Sequence, residues 1–173
     1  MHALRARIMD ETILPAGKLP VSLLKALLAD IPATDPDVLV GPGIGEDAAA
    51  IRFGDRTLLF KTDPITLTSD EIAWYLITVN SNDIACMGGI PKYLLVTFLL
   101  PAGQTTAATV NTIFSNLNQA CSGFGITLVG GHTEITHGID RPIATGFMVG
   151  TLLGERVIRT SDASPGNLVL LSK

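Results

Sequence analysis

The sequence predicts an α/β or α+β domain built on a mixed β-sheet. Two observations carry this. Apolar runs of strand length, at 48–53, 57–62, 92–100 and 142–153, interleave with segments of helical period without strict β-α-β repetition. The length, 173 residues, suits one domain with a sizeable core. There is no internal repeat and no low-complexity tract.

The elements follow in order. Residues 1–18 read as an amino-terminal arm ending at Gly17 and Lys18, and 19–173 as the folded domain. Residues 20–30 fit a short helix with Leu23, Leu24, Leu27 and Leu28 on one face, stopped by Pro32 and Pro36. A glycine-rich loop at 41–47 leads into two strands joined by a turn at Gly54–Asp55. Residues 69–87 fit a helix begun by Ser69 and Asp70 and ended by Gly88 and Gly89. The run 92–100 reads as a strand buried on both faces. Residues 105–122 repeat apolar positions at three and four, as an amphipathic helix does. Residues 126–134 read as a strand entering a loop, 142–153 as another strand, and 168–171 as a last one. The stop in that last apolar run reads either as a strand at a terminus or as a cut at a domain boundary, with a further carboxy-terminal domain absent from this chain.

Hydrophobic residues make up 47% and charged residues 16%, with a mean hydropathy of +0.41. A soluble domain typically carries about 25% charged residues. The longest apolar run, near 93–100, is far short of the ~20 residues that span a bilayer. The apolar surplus therefore points to an oligomer or interdomain surface. The net charge of −4 and the lack of a basic run argue against nucleic acid as a partner. They do not argue against a phosphate ligand, because a bound divalent cation reverses the local sign. Cys86 and Cys121 form no paired metal motif and no disulfide scaffold, and both read as core residues. The first residues carry no secretory signal, so a cytoplasmic location is expected.

Four segments concentrate polar chemistry. In Gly41-Pro-Gly43-Ile-Gly45-Glu46-Asp47, alternate glycines free backbone amides for close approach, and Glu46 or Asp47 could hold Mg²⁺ against phosphate. A plain turn is the alternative. No helix follows, and no GxxxxGK[ST] loop occurs, so neither common nucleotide fingerprint applies. In Lys61-Thr62-Asp63-Pro64, Lys61 and Asp63 point the same way at an expected strand end, since Pro64 should stop the ladder. A solvated ion pair is the alternative. In Asn80-Ser81-Asn82-Asp83, Asn80 and Asp83 share a face of an otherwise apolar helix, so buried polar groups there need a partner, either a ligand or a helix-to-helix network. In Gly130-Gly131-His132-Thr133-Glu134, a diglycine precedes three polar side chains, readable as a ligand loop or a hairpin turn.

Together and in this order, GxGEDAA, TDP, NxNDIAxMG and GGHTE resemble the motif series of the aminoimidazole ribonucleotide synthetase superfamily, from about Gly17 onward. Its branches include the purine-pathway cyclo-ligase, thiamine-phosphate kinase, selenophosphate synthetase and the hydrogenase-maturation HypE proteins, and the chain most resembles the last. The resemblance implies a PurM-like amino-terminal domain with helices on one face of the sheet, strands of two subunits forming a barrel-like core, and ATP in a groove near that dimer interface. It implies Asp47, Asp63 and Asp83 as Mg²⁺ ligands. Gly43, Gly45, Asn80, Gly130, Gly131, Thr133 and Lys18 would contact nucleotide, and Lys61 and His132 would act in catalysis. The implied reaction activates an amide-type oxygen with ATP, toward a small-molecule or protein-thiol-linked substrate.

The departures are specific. His132 stands where the kinase branch has aspartate, no cysteine precedes Cys86, and no carboxy-terminal cysteine is present. A kinase-like phosphotransferase and a non-catalytic nucleotide-binding or dimerisation module are the rival readings.

Overall fold

The computed structural model describes residues 13–32 and 35–171. Most of the expected amino-terminal arm lies outside the described residues. The elements are α1 (Val21–Leu28), β1 (Val38–Val40), β2 (Ala49–Phe53), β3 (Arg56–Ile65), α2 (Ile72–Cys86), β4 (Gly89–Pro101), α3 (Ala107–Phe124), β5 (Thr127–Thr136) and β6 (Ile143–Leu152). A short 3₁₀ turn follows at Thr160–Asp162. The strands make one mixed sheet in the order β1-β2-β3-β6-β4-β5. Only β4 and β5, joined through α3, run parallel; the other neighbours are antiparallel. Among the described residues, no helix is long and apolar enough to cross a membrane.

α2 and α3 pack against each other and against the sheet. Side chains alternate across a strand, so every second residue of β4 and β6 enters the core: Leu94, Val96, Phe98 and Leu100 on one, Ala144 and Met148 on the other. From α2 come Ile72, Ala73, Leu76, Ile77 and Ile84, spaced as one helical face. Two glycines of β6 let that helix lie close. A Cβ at Gly146 would stand 2.8 Å from Asn80 Nδ2, and one at Gly150 would collide with Ile84. α3 starts where Thr106 Oγ1 accepts from the Thr109 backbone N–H (3.1 Å) and ends at Gly125, whose φ of 64° only glycine adopts cheaply.

Several expectations are corrected. β4 is covered on one face only; Tyr93, Leu95 and, beside them on β6, Phe147 are exposed on the other. β3 does not stop at Pro64. Pairing with β6 runs through Pro64↔Thr145 to Ile65↔Ala144, because proline loses a donor but keeps its carbonyl. Residues 130–134 are neither loop nor turn but the middle of β5, paired in register with β4. α2 begins after Glu71 in a left-handed conformation (φ 53°), not at Ser69 or Asp70. Its outer face is uncovered at Trp74 and Tyr75. Leu168–Leu171 is not a strand: no described strand pairs with it, and Val169 and Leu171 are 99% exposed. Cys121 is a core residue as expected, whereas Cys86 is exposed. β1 was not anticipated; at three residues it is too short for periodicity to register.

Candidate functional site

The polar centre of the domain forms where β3 meets α2. Leu59, Lys61 and Asp63 alternate onto the same face of β3, and the first is fully buried. Beyond Phe60, β3 has no β2 partner, so its edge is open toward α2. Asn80 fills that edge. It is fully buried; its Oδ1 accepts from the Asp63 backbone N–H (3.0 Å) and its Nδ2 donates to Asp63 O (3.4 Å) and to Leu76 O (2.8 Å). The side chain thus stands in for the missing strand and holds the backbone of Asp63. One turn further along α2, Asp83 completes the group. Lys61 Nζ lies 2.7 Å from Asp83 Oδ2 and 3.3 Å from Asp63 Oδ2. The Lys61 and Asp83 side chains are largely enclosed, and that of Asp63 is about a third exposed. Burial alone would lower the Lys61 pKa, but the hydrogen bond to Asp83 and the charges of Asp63 and Asp83 outweigh it, and the net direction is upward.

The glycine-rich loop leads into β2, whose Ala49 pairs with Phe60 next to Lys61. Glu46 is anchored from the far end of the chain: Ser161 Oγ donates to Glu46 Oε1 (3.1 Å), and an Arg159 guanidinium nitrogen lies 3.3 Å from the same oxygen. The Glu46 side chain is 8% exposed, and its second oxygen, Oε2, is buried without a partner. Gly45 adopts φ 85° below Thr160. Asp47 joins neither ion pair of Lys61. The Cys86 thiol pKa is pushed up by burial first, and then by the negative charges of Asp47 and Asp83. Among the described residues, no three His, Cys, Asp or Glu side chains stand close enough to enclose a metal ion by themselves.

The remaining predicted residues lie elsewhere. Asp63, Gly146, Val96 and Gly131 form one row across the sheet. Three strand spacings separate its ends, about 14 Å. His132 belongs to the next row, with Thr97, Thr145 and Pro64, and therefore points to the opposite face from Lys61 and Asp63. There it is exposed and pairs with Glu134 (Nε2 to Oε2, 3.3 Å). Gly131 has φ +153° and packs so tightly that a Cβ would collide with the Val96 carbonyl. This close approach, at the bulge opposite Leu94–Leu95, explains the diglycine within a strand. Gly130, Gly131, His132 and Thr133 line a groove with Val96 and Phe114. Lys18 is exposed ahead of α1 and makes none of the contacts that gather Lys61, Asp63 and Asp83; Gly43 is exposed in its loop.

Sequence reasoning missed Arg159, Ser161 and Gly146. The first two act from more than a hundred positions away, which no local spacing reveals. Gly146 left one signal, the recurrence of Gly146 and Gly150 in an otherwise apolar strand.

The chain is similar to several known proteins. Residues 45–152 match the family model "AIR synthase related protein, N-terminal domain". A thiamine-monophosphate kinase of Pyrococcus horikoshii is 31% identical over 137 residues, covering 75% of this chain and 42% of that protein. A selenide, water dikinase of a Geobacter species is 32% identical over 164 residues, covering 91% and 47%. The crystal structure of the hydrogenase maturation protein HypE in complex with ATP superposes with a TM-score of 0.53 at 20% identity, over 80% of this chain and 42% of that one, a likeness of fold. The chain spans about half the length of the curated relatives it matches.

Proposed function

Because the chain belongs to the AIR synthase related family, whose N-terminal domain it carries, we propose that it binds ATP together with Mg²⁺ and supplies the phosphoryl-activating half of an ATP-dependent enzyme. The observation that carries this reading is the convergence of Asp63 and Asp83 on one positive centre, with Asn80 fixing the backbone of Asp63.

The residues fit the cation. Mg²⁺ is commonly held by one or two carboxylates plus substrate phosphates rather than by an all-protein cage. Two converging carboxylates are what such a site presents, and the Lys61 ammonium marks where positive charge is accepted. The buried, unpartnered Glu46 Oε2 leaves one further hard oxygen available in the glycine-rich loop. We assign Asp63 and Asp83 as ligands, with Asp47 completing the set once phosphates are present. The bound cation would neutralise phosphate charge as the γ-phosphoryl group is transferred. Gly43 and Gly45 supply backbone amides, and Gly130, Gly131 and Thr133 border the groove along β5. Lys61 offers its ammonium to a phosphate oxygen, and Lys18 covers the phosphates from the amino-terminal side. The acceptor is an amide-type oxygen that attacks the γ-phosphorus as ADP leaves, on a small molecule or a thiol-linked group. A second copy is proposed to cover the uncovered sheet face in a barrel-like core, with His132 and Glu134 at its edge.

A phosphotransferase reading has its own support in the 31% identity to a thiamine-monophosphate kinase. The two readings separate by product. Incubation with γ-labelled ATP and thiamine monophosphate should give no labelled thiamine diphosphate, because His132 stands where that branch has a carboxylate. Mg²⁺-dependent quenching of a fluorescent ATP analogue should still occur. Label transfer to thiamine monophosphate would favour the kinase reading, and no Mg²⁺-dependent binding would remove both.

A further inference from the structure

We propose that Lys61 is a tethered counterion that occupies a divalent-cation position between Asp63 and Asp83, closing the centre to free metal ions until a nucleotide's phosphates draw the ammonium away. The inference rests on the magnesium–nucleotide reading above and goes beyond it, since it concerns the protein without nucleotide.

The geometry carries it. Nζ is 2.7 Å from Asp83 Oδ2 and 3.3 Å from Asp63 Oδ2, and the lysine side chain is only 17% exposed. A Mg²⁺ ion bound to the same oxygens would sit about 2.0–2.1 Å from each. That position overlaps the ammonium, and two positive centres cannot share it. The carboxylates do not drift apart to make room. Asn80 holds Asp63 through both of its backbone polar groups, and Asp83 lies on the same helix as Asn80. Lys61 and Asp63 are two apart on one strand, so the ammonium is delivered from the wall of the site rather than from a loop. It can also leave. A lysine head rides on a flexible four-carbon stem and is a compact point charge suited to a phosphate oxygen. Once it turns to phosphate, the two carboxylates face each other without a counter-charge, and a divalent ion is favoured between them. Metal and nucleotide would therefore enter together.

The test uses Mn²⁺ alone as probe, with the free ion followed by electron paramagnetic resonance in the full 173-residue chain. Wild type and Lys61→Arg should bind Mn²⁺ weakly without nucleotide. Lys61→Met should bind it at least tenfold more tightly, and Lys61→Met with Asp83→Asn should lose that gain. Lys61→Gln serves if the methionine variant does not fold. Equal Mn²⁺ affinity in wild type and the neutral variants, whether tight or absent, would overturn the inference. A parallel Mn²⁺ titration with ATP separates the two claims. Nucleotide-dependent uptake by wild type with no gain in Lys61→Met sinks the counterion alone. A gain in Lys61→Met without nucleotide-dependent uptake by wild type supports the counterion and sinks the nucleotide reading.

Discussion

The Asn80 side chain pairs with the backbone of Asp63 as a neighbouring strand would, accepting its N–H at 3.0 Å and donating to its carbonyl at 3.4 Å. Removing it leaves a part-buried amide without a partner, at a cost of about 1–3 kcal/mol. Asn80→Ala should lower the urea midpoint accordingly and loosen Asp63. An unchanged midpoint would mean that water replaces the amide freely.

Much of this centre was legible in the sequence, for a physical reason. Lys61 and Asp63 share a face under either a strand or a strand end, and Asn80 and Asp83 share one under any helical reading. Two local periods therefore paired these residues two by two, and the interleaved apolar runs indicated the sheet; that the two pairs meet is fixed only by the packing of α2 on β3. What was not legible depended on pairing. The exposure of His132 on the far face follows from the register Thr97↔His132, which only the assembled sheet fixes. Pro64 was misread because an edge and an interior ladder look alike in sequence. Leu168–Leu171 has strand composition and no partner, and composition alone does not make a strand. Arg159 and Ser161 reach Glu46 through tertiary structure alone.

Gly131 should tolerate no side chain. Its Cβ would meet the Val96 carbonyl, and φ +153° disfavours an L residue. Gly131→Ala should cost about 3 kcal/mol and expose the amides of 127–136 to hydrogen exchange. Gly123→Ala is the control: that glycine is inside α3 with open space around its Cβ position, so alanine should be neutral or stabilising by about 0.5–1 kcal/mol. Equal effects would contradict the close packing of β5 on β4.

Alkaline stability should depend on Lys61. Its pKa in the folded chain lies above the ordinary value of about 10.4. A raised lysine contributes stability that is full below its unfolded pKa and is lost as pH rises through the folded one. As pH rises above about 10.4, the urea midpoint of wild type should therefore fall relative to Lys61→Met, with the difference constant at lower pH. A difference that stays flat through this rise would show that the ion pairs do not stabilise the fold.

The uncovered sheet face predicts a homodimer. Tyr93, Leu95 and Phe147 are exposed side by side, and the Phe147 ring lies 6.1 Å from that of Phe60. Light scattering at micromolar concentration should give about twice the chain mass of 18.2 kDa. Phe147→Asp should give the monomer. A wild type that is monomeric throughout would leave this face to another partner.

We propose that Asp63 and Asp83, with Lys61 between them, form the magnesium–nucleotide centre. The deciding measurement is calorimetric titration of ATP into the chain, with and without Mg²⁺, repeated on Asp83→Asn. Binding should require Mg²⁺ and weaken about tenfold or more in the variant, a loss of about 1.4 kcal/mol. Equal ATP affinity in wild type and Asp83→Asn would contradict it.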